Sequence, residues 1–194
     1  LCKDLPDSTS KFAAEGTMMH TVAEECLSAA GVNAAMYVGE TFNQDGHNNT
    51  FTADHVAPVQ QYVDYVNDLV SSTRGELLVE QRLPIGHLTH EAGAKGTCDA
   101  LILAGDTLYV VDLKGGMGVS VDAENNPQLA IYALAALEEF SLSNDFKTVT
   151  MVIHQPRLSH VSEHTISVTQ LKAFGDAVLM AAAVTLDPEA PLVP

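Results

Sequence analysis

Two aspartates and a lysine lie close to a predicted tight turn in the middle of the chain. Gly105 and Asp106 have the residue types of a two-residue type II′ hairpin loop, in which glycine takes the first position. If that turn forms, residues at equal distances before Gly105 and after Asp106 face each other. Asp99 therefore lies opposite Asp112. Opposed side chains of an antiparallel pair have Cβ atoms about 4.5–5.5 Å apart, and positions two apart on a strand share a face. Asp99, Asp112 and Lys114 are therefore expected on one patch.

Two facing carboxylates destabilise a sheet unless a cation lies between them. Their hard oxygens are suitable ligands for a divalent cation. The alternative is that Asp99 and Asp112 are solvated ends of a buried hairpin, and that Lys114 neutralises one of them. The residues at this turn leave both interpretations open.

The hairpin predicted around this turn is apolar on both faces. One face continues from the aspartates through Leu101, Leu103, Leu108 and Val110, and the other carries Ala100, Ile102, Tyr109, Val111 and Leu113. Strands that are apolar on both faces lie in the centre of a sheet that is covered on both sides.

Four short motifs occur in order along the chain: His20 on a predicted helix, Gly96-x-x-Asp99, Asp112-x-Lys114 and Gln128-x-x-x-Tyr132. Each is common alone, but the order and the predicted elements are specific. Together with the stretches EGTMMHTVAEECL and ENNPQLAIYAL, they resemble the RecB-type branch of the PD-(D/E)XK nucleases, and in particular a phage and prophage group of RecB-like exonucleases. The resemblance spans most of the chain from Glu15 to Leu137.

The resemblance implies one or two Mg²⁺ or Mn²⁺ ions and a set of ligands. The implied ligands are the side chains of His20, Asp99 and Asp112 and the backbone carbonyl of Leu113, with Glu24 and Glu80 as further candidates. His20 and Glu24 lie four residues apart on one helix face, so Glu24 could instead orient the imidazole. The alternatives are a histidine satisfied by Glu24 and, at position 80, an exposed strand glutamate.

The resemblance also implies catalytic roles for Lys114, Gln128 and Tyr132, beside Asp99 and Asp112. Lys114 would orient the attacking water and offset charge in the transition state, while Gln128 and Tyr132 would position the substrate or the lysine. The implied function is metal-dependent hydrolysis of phosphodiesters, favoured as a phage-type DNA exonuclease in recombination or replication. The alternative is a catalytically inactive nuclease-like module that binds within a phage DNA-processing complex.

Hydrophobic periodicity predicts an α/β fold. Helices are predicted at Glu15–Ala30, Val56–Ser72, Ala123–Phe140 and Thr169–Val184, and strands at Glu76–Leu83, in the central hairpin, at Thr148–His154 and at Thr165–Val168. This order predicts a central mixed sheet with helices on both faces. The resemblance to the nucleases implies that this sheet belongs to a restriction-endonuclease-like core. The turn-rich stretch Ala34–Asp54 is expected to be an exposed loop, and a short strand or turn around Met36–Phe42 could precede it. With 194 residues, 46% of them hydrophobic, we expect a single domain over residues 1–194.

The three cysteines, Cys2, Cys26 and Cys98, lack CxxC spacing and indicate neither a disulfide framework nor a zinc site. Relatives of the RecB type often hold an iron–sulfur cluster with one early and three late cysteines, and late cysteines are missing here, so no cluster is expected in this chain. The apolar runs are too short for a membrane span, and no signal peptide is recognisable. We expect a cytoplasmic phage or prophage protein in a bacterial host.

The formal net charge of −16, with only nine Lys and Arg residues, argues against a long track for duplex DNA. Bound divalent cations reverse the local field at the predicted acidic patch. The expected partner is nucleic acid, DNA rather than RNA, bound weakly or in a metal-dependent way. A phage recombination protein or an oligomer could supply basic surface.

Overall fold

The computed structural model describes residues 11–44 and 46–185, including the backbone but not the side chains of residues 11 and 185. Cys2 lies outside the described residues. The helices of the described part are α1 Lys11–Ser28, α2 Ala53–Thr73, α3 Gly86–Thr89, α4 Pro127–Glu139 and α5 Val168–Thr185. The strands are β1 Thr41–Gln44, β2 His47–Thr50, β3 Glu76–Pro84, β4 Lys95–Ala104, β5 Thr107–Leu113, β6 Thr148–Gln155 and β7 His160–Ser167, with short 3₁₀ helices at Ala34–Tyr37 and Pro156–Leu158.

The main sheet has five strands in the order β3-β4-β5-β6-β7 and is flanked by helices, so the predicted α/β class with a central mixed sheet is confirmed. Strand β4 pairs antiparallel with both β3 and β5. Both faces of the β4–β5 hairpin are largely buried, as their apolar residues predict, and helix α4 contacts β3 and β4.

Helix boundaries differ from the predicted ones mainly where capping decides them. Helix α4 begins at Pro127 rather than Ala123, because the Asn126 side chain accepts a hydrogen bond from the Leu129 N–H at 3.1 Å. Proline fits the first turn of a helix because it has no N–H, and an N–H at that position would have no partner within the helix. Helix α1 begins at Lys11, four residues before the predicted start, and buries Met18, Met19, Val22, Ala23 and Cys26.

The stretch predicted to be an exposed loop contains a small second sheet, so that prediction is wrong in part. Strands β1 and β2 pair antiparallel, and their polar side chains pair across the hairpin. The hydroxyls of Thr41 and Thr50 lie 3.0 Å apart, and Asn43 Nδ2 donates to Asn48 Oδ1 at 2.7 Å. Cross-strand pairing of polar residues leaves no hydrophobic alternation for a sequence pattern to detect.

Strand β7 is longer than the predicted Thr165–Val168 and occupies one edge of the sheet. Its side chains alternate between half-buried and exposed along most of its length, as expected for an edge strand that packs one face. The first half of the strand is rich in polar residues, so a search for apolar runs does not detect it.

The described part of the chain divides into two compact units. The first unit comprises the described residues up to Asp68 with Leu113–Ser120 and His154–His160, and its core includes Met18, Met19 and Val22 of α1. The second comprises Leu69–Asp112, Val121–Ile153 and the described residues from Val161 onward. Its core is built by β3, β4, β5, β6 and α4. The single domain over residues 1–194 stays a prediction.

Among the described residues, no helix combines the length and the apolar character that crossing a membrane requires.

Candidate metal centre

The β4–β5 hairpin has the register that its turn predicts. Ala104 pairs with Thr107 and Ala100 pairs with Val111, so that Asp99 and Asp112 lie level with each other at the next position. Gly105 has φ of +58°, whereas Asp106 is not among the residues with positive φ, as a type II′ turn requires. The two aspartates are therefore neighbours across adjacent strands.

A third acidic residue lies in the same row. In the β3–β4 ladder Val79 pairs with Ala100 and Gln81 pairs with Cys98, so Glu80 is level with Asp99. A carboxylate oxygen of Glu80 lies within 4.8 Å of one from Asp99. Glu80, Asp99 and Asp112 thus form a row of three acids across three adjacent strands, which we call the acidic row. The turn at Gly105 predicts two members of this row, and the pairing of β3 adds the third.

Glu80 has an unusual backbone for a strand residue. Its φ is +49°, in the left-handed region, although the register is the same on either side of it. A residue with a Cβ pays about 1–3 kcal/mol for such a conformation, which persists only where the surroundings impose it. Local strain of this kind is concentrated at functional sites.

The pKa of the Cys98 thiol is sensitive to the negative charge of the acidic row. Burial raises the pKa of Cys98 well above its ordinary value, and the nearby carboxylates of Asp99, Asp112 and Glu80 raise it further. The thiol therefore stays protonated and is a poor metal ligand. The donors available here are carboxylate oxygens, which favour Mg²⁺, Mn²⁺ or Ca²⁺ over soft metals.

Two of the predicted ligands lie close together in the second unit. Carboxylate oxygens of Glu80 and Asp99 lie within 4.8 Å of each other, and both residues are half-buried. His20 and Glu24 belong to α1 of the first unit, where His20 is half-buried and Glu24 is exposed. The paired carboxylates suit Mg²⁺ and Mn²⁺.

Asp112, Leu113 and Lys114 occupy the end of β5. Asp112 is buried at 4% exposure and Leu113 is fully buried, whereas Lys114 is half-buried. The Lys114 backbone N–H donates to the His154 carbonyl at 2.9 Å, which fixes the backbone where the strand ends. The lysine that follows the acidic row is thus held by main-chain pairing rather than on a free loop.

Gln128 and Tyr132 form a pair on α4 that covers the glycine of the predicted motif. Gln128 Nε2 lies 3.2 Å from Tyr132 Oη and donates to it. A Cβ added to Gly96 would lie 2.4 Å from Tyr132 Cε1, so the ring packs directly on the strand backbone at position 96. This contact explains why glycine stands three residues before Asp99.

Sequence reasoning missed a charged cluster in the first unit. Glu15 Oε1 accepts a hydrogen bond from Arg157 Nη2 at 2.6 Å and lies 3.0 Å from His55 Nε2. Partial burial raises the pKa of Glu15, but the hydrogen bonds from Arg157 and His55 outweigh it and hold the pKa below its ordinary value. Arg157 lies 142 residues from Glu15, and no local pattern predicts such a pair.

The family comparison covers almost the whole chain. The family described as "Protein of unknown function (DUF2800)" matches residues 1–193. The chain belongs to this family.

One solved structure, the crystal structure of SSO0001, is 12% identical, and the match covers 93% of this chain and 98% of that chain with a TM-score of 0.29. A likeness at that TM-score carries no argument about this chain.

Proposed function

We propose that this protein hydrolyses phosphodiester bonds of nucleic acid with Mg²⁺ or Mn²⁺. The observation that carries the proposal is the acidic row, three carboxylates on adjacent strands, followed after two residues by Lys114. Such a row gathers negative charge inside a sheet, which is costly unless a cation offsets it. The carboxylate oxygens of Glu80 and Asp99, within 4.8 Å of each other, support the same assignment.

The residues that would hold the ion are Asp99, Asp112, Glu80 and His20, with the carbonyl of Leu113. When bound, Mg²⁺ or Mn²⁺ lowers the pKa of water and neutralises charge that develops on the phosphate. Lys114 orients the attacking water by hydrogen bonding and offsets negative charge in the transition state. The main-chain bond from Lys114 to His154 restricts where its ammonium can reach.

Gln128 and Tyr132 have a positioning role in this proposal. Their hydrogen bond fixes the Tyr132 ring over Gly96, on the strand that carries Asp99. The amide and the phenol together present donors and acceptors that can orient a phosphate or a nucleobase. The resemblance to RecB-like exonucleases makes DNA the favoured substrate and phage recombination or replication the favoured process.

A catalytically inactive binding module is the second candidate, and the net charge of −16 favours it. A protein that binds DNA without cutting it has no need for a metal-activated water. The acidic row, however, repels phosphate unless a cation is bound there. The retention of Asp99, Asp112 and Lys114 together favours the enzyme.

The test compares the parent protein with Lys114→Ala in cleavage of linear DNA with Mn²⁺, and in Mn²⁺ binding by calorimetry. We expect the variant to bind Mn²⁺ like the parent and to lose roughly a hundredfold to ten thousandfold in cleavage rate. Lys172→Ala, at an exposed lysine on α5, is the matched control and should cleave like the parent. Equal cleavage by Lys114→Ala contradicts the role of the lysine. Mn²⁺ binding without cleavage by the parent favours the binding module.

A further inference from the structure

A cavity of about 410 Å³ lies in the first unit, beside the segment that follows Lys114. Its walls include Phe12, Glu15 and Gly16 of α1, the segment Gly115–Gly118, and Arg157. We call it the glycine cleft. Its volume is within the range of about 300–1,000 Å³ in which small ligands bind, which suits one nucleotide and not a duplex.

The fold itself explains only one of the glycines in this wall. A Cβ at Gly115 would lie 3.0 Å from Met19 Sδ, so packing against α1 restricts position 115 to a small residue. Gly116 and Gly118 have no heavy atom within 4 Å of an added Cβ, and neither has a positive φ. Glycine is therefore required at positions 116 and 118 neither by the backbone conformation nor by described neighbours. Close approach of a bound chain would require it.

Arg157 supplies a positive charge at the cleft wall. Its side chain is 13% exposed and is held by Glu15, whose carboxylate is also contacted by His55. The ion pair fixes the orientation of the guanidinium, and the positive charge of Arg157 offsets the negative charge of Glu15. A guanidinium has five N–H donors in a planar fork, so it can hold a carboxylate and a phosphate together.

Two large apolar side chains at the cleft are exposed to solvent. Phe12 is 83% exposed and Met117 is 72% exposed, and both line the cleft. Proteins that bind single strands place aromatic side chains beside a positive group, since every nucleobase has a face that can stack. Phe12 and Met117, which line the same cleft as Arg157, provide an apolar surface beside a positive group.

We propose that the glycine cleft binds one nucleotide of a single-stranded nucleic acid, with its phosphate at Arg157 and its base against Phe12 and Met117. This inference rests on the proposed function and names the substrate class of the proposed enzyme. The segment Gly115–Gly118 begins directly after Lys114, so the cleft wall and the lysine are neighbours along the chain. With nine Lys and Arg residues in the chain, stacking must supply affinity that phosphate contacts supply in duplex-binding proteins.

The experiment measures binding of a short fluorescein-labelled oligothymidylate by fluorescence anisotropy, in the Lys114→Ala background and with Ca²⁺ present. Phe12→Ala and Met117→Ala should each weaken binding by roughly five- to a hundredfold, the effect of losing one stacked base. Arg157→Lys keeps the charge but loses the fork, and should also weaken binding. Leu142→Ala removes a fully exposed apolar side chain elsewhere and is the matched control, with unchanged binding expected.

Binding of the oligonucleotide that is unchanged in Phe12→Ala, Met117→Ala and Arg157→Lys overturns the inference. So does equal affinity for a duplex of the same length. Cleavage by the parent protein with Mn²⁺ is scored separately on single-stranded and duplex DNA. Cleavage of duplex DNA alone overturns the inference and leaves the proposed function standing. Oligonucleotide binding that depends on Phe12, without any cleavage by the parent, supports the cleft and refutes the proposed nuclease.

Discussion

Glu80 combines two unfavourable features in one residue, a left-handed backbone and a carboxylate level with Asp99. Either feature alone destabilises the fold, the first by strain and the second by charge repulsion. Substitution to glycine removes both, and their presence in one residue is what the proposed role in binding a cation predicts. Variants at position 80 can separate the effect of backbone strain from the effect of metal binding.

We predict different effects for Glu80→Ala and Glu80→Gly without metal. Glycine accepts φ of +49° freely, whereas alanine keeps the strain, so the glycine variant should be about 1 kcal/mol more stable to unfolding than the alanine variant. Urea denaturation of the two variants measures this difference. Added Mn²⁺ should raise the melting temperature of the parent more than that of either variant, because both lack the carboxylate. Equal stability of the two variants contradicts a strained backbone at this position.

At the scale of elements, helix α4 and strand β4 approach closely at one point. The ring of Tyr132 lies where a side chain at position 96 would extend, and the Gln128 amide fixes the phenol from one turn earlier. The helix can therefore pack on the strand at this distance because position 96 has no side chain. The same contact brings the two predicted positioning residues to the strand that carries Asp99.

We predict that Gly96→Ala destabilises the protein by about 1–3 kcal/mol, since the new methyl group overlaps the Tyr132 ring. In a Tyr132→Ala background the same substitution should cost much less, because the overlapping ring is gone. A double-mutant cycle in urea isolates this coupling between helix and strand. Additive effects of the two substitutions would show that the ring does not restrict position 96.

The two hairpins show why one element was predictable and another was not. The β4–β5 hairpin combines a Gly-Asp turn with apolar strands, and equal distances along the chain from the turn predict its register. The β1–β2 hairpin has polar strands that are held together by pairs such as Asn43 with Asn48. Period-2 hydrophobicity is missing there, so the turn residues alone indicated a loop.

At the scale of the whole molecule, we expect a buried histidine to make stability fall in acid. His154 is 5% exposed, packs its ring against Tyr62 and Tyr65, and makes no hydrogen bond through Nδ1 with the described residues. Burial lowers the pKa of His154 to about 4. The unfolded chain takes up the proton at higher pH than the folded chain does, so acid favours unfolding.

We predict that the protein loses about 3 kcal/mol of unfolding free energy through His154 as the pH falls from about 6.5 to about 4. The stabilisation is fully present above pH 6.5, where the residue is neutral in both states. His154→Phe, which cannot be protonated, should flatten the pH dependence of urea denaturation in this window. An unchanged slope in His154→Phe contradicts this origin of the acid lability.

The sequence by itself determined the features that depend on neighbours along the chain. The turn at Gly105 sets Asp99 opposite Asp112, and periodicity of 3.6 or 2 predicts the main helices and the central strands. These patterns are local because backbone geometry repeats over a few residues. The face of each central strand and the approximate ends of most helices follow from them.

Only the tertiary structure decided which distant segments meet. The pairing of β3 with β4 brings Glu80 level with Asp99, and the packing of α4 places Tyr132 over Gly96. Arg157 reaches Glu15 across 142 residues of sequence. Each of these contacts depends on how elements pack to bury apolar surface, and a charged or glycine position far along the chain carries no local trace of its partner.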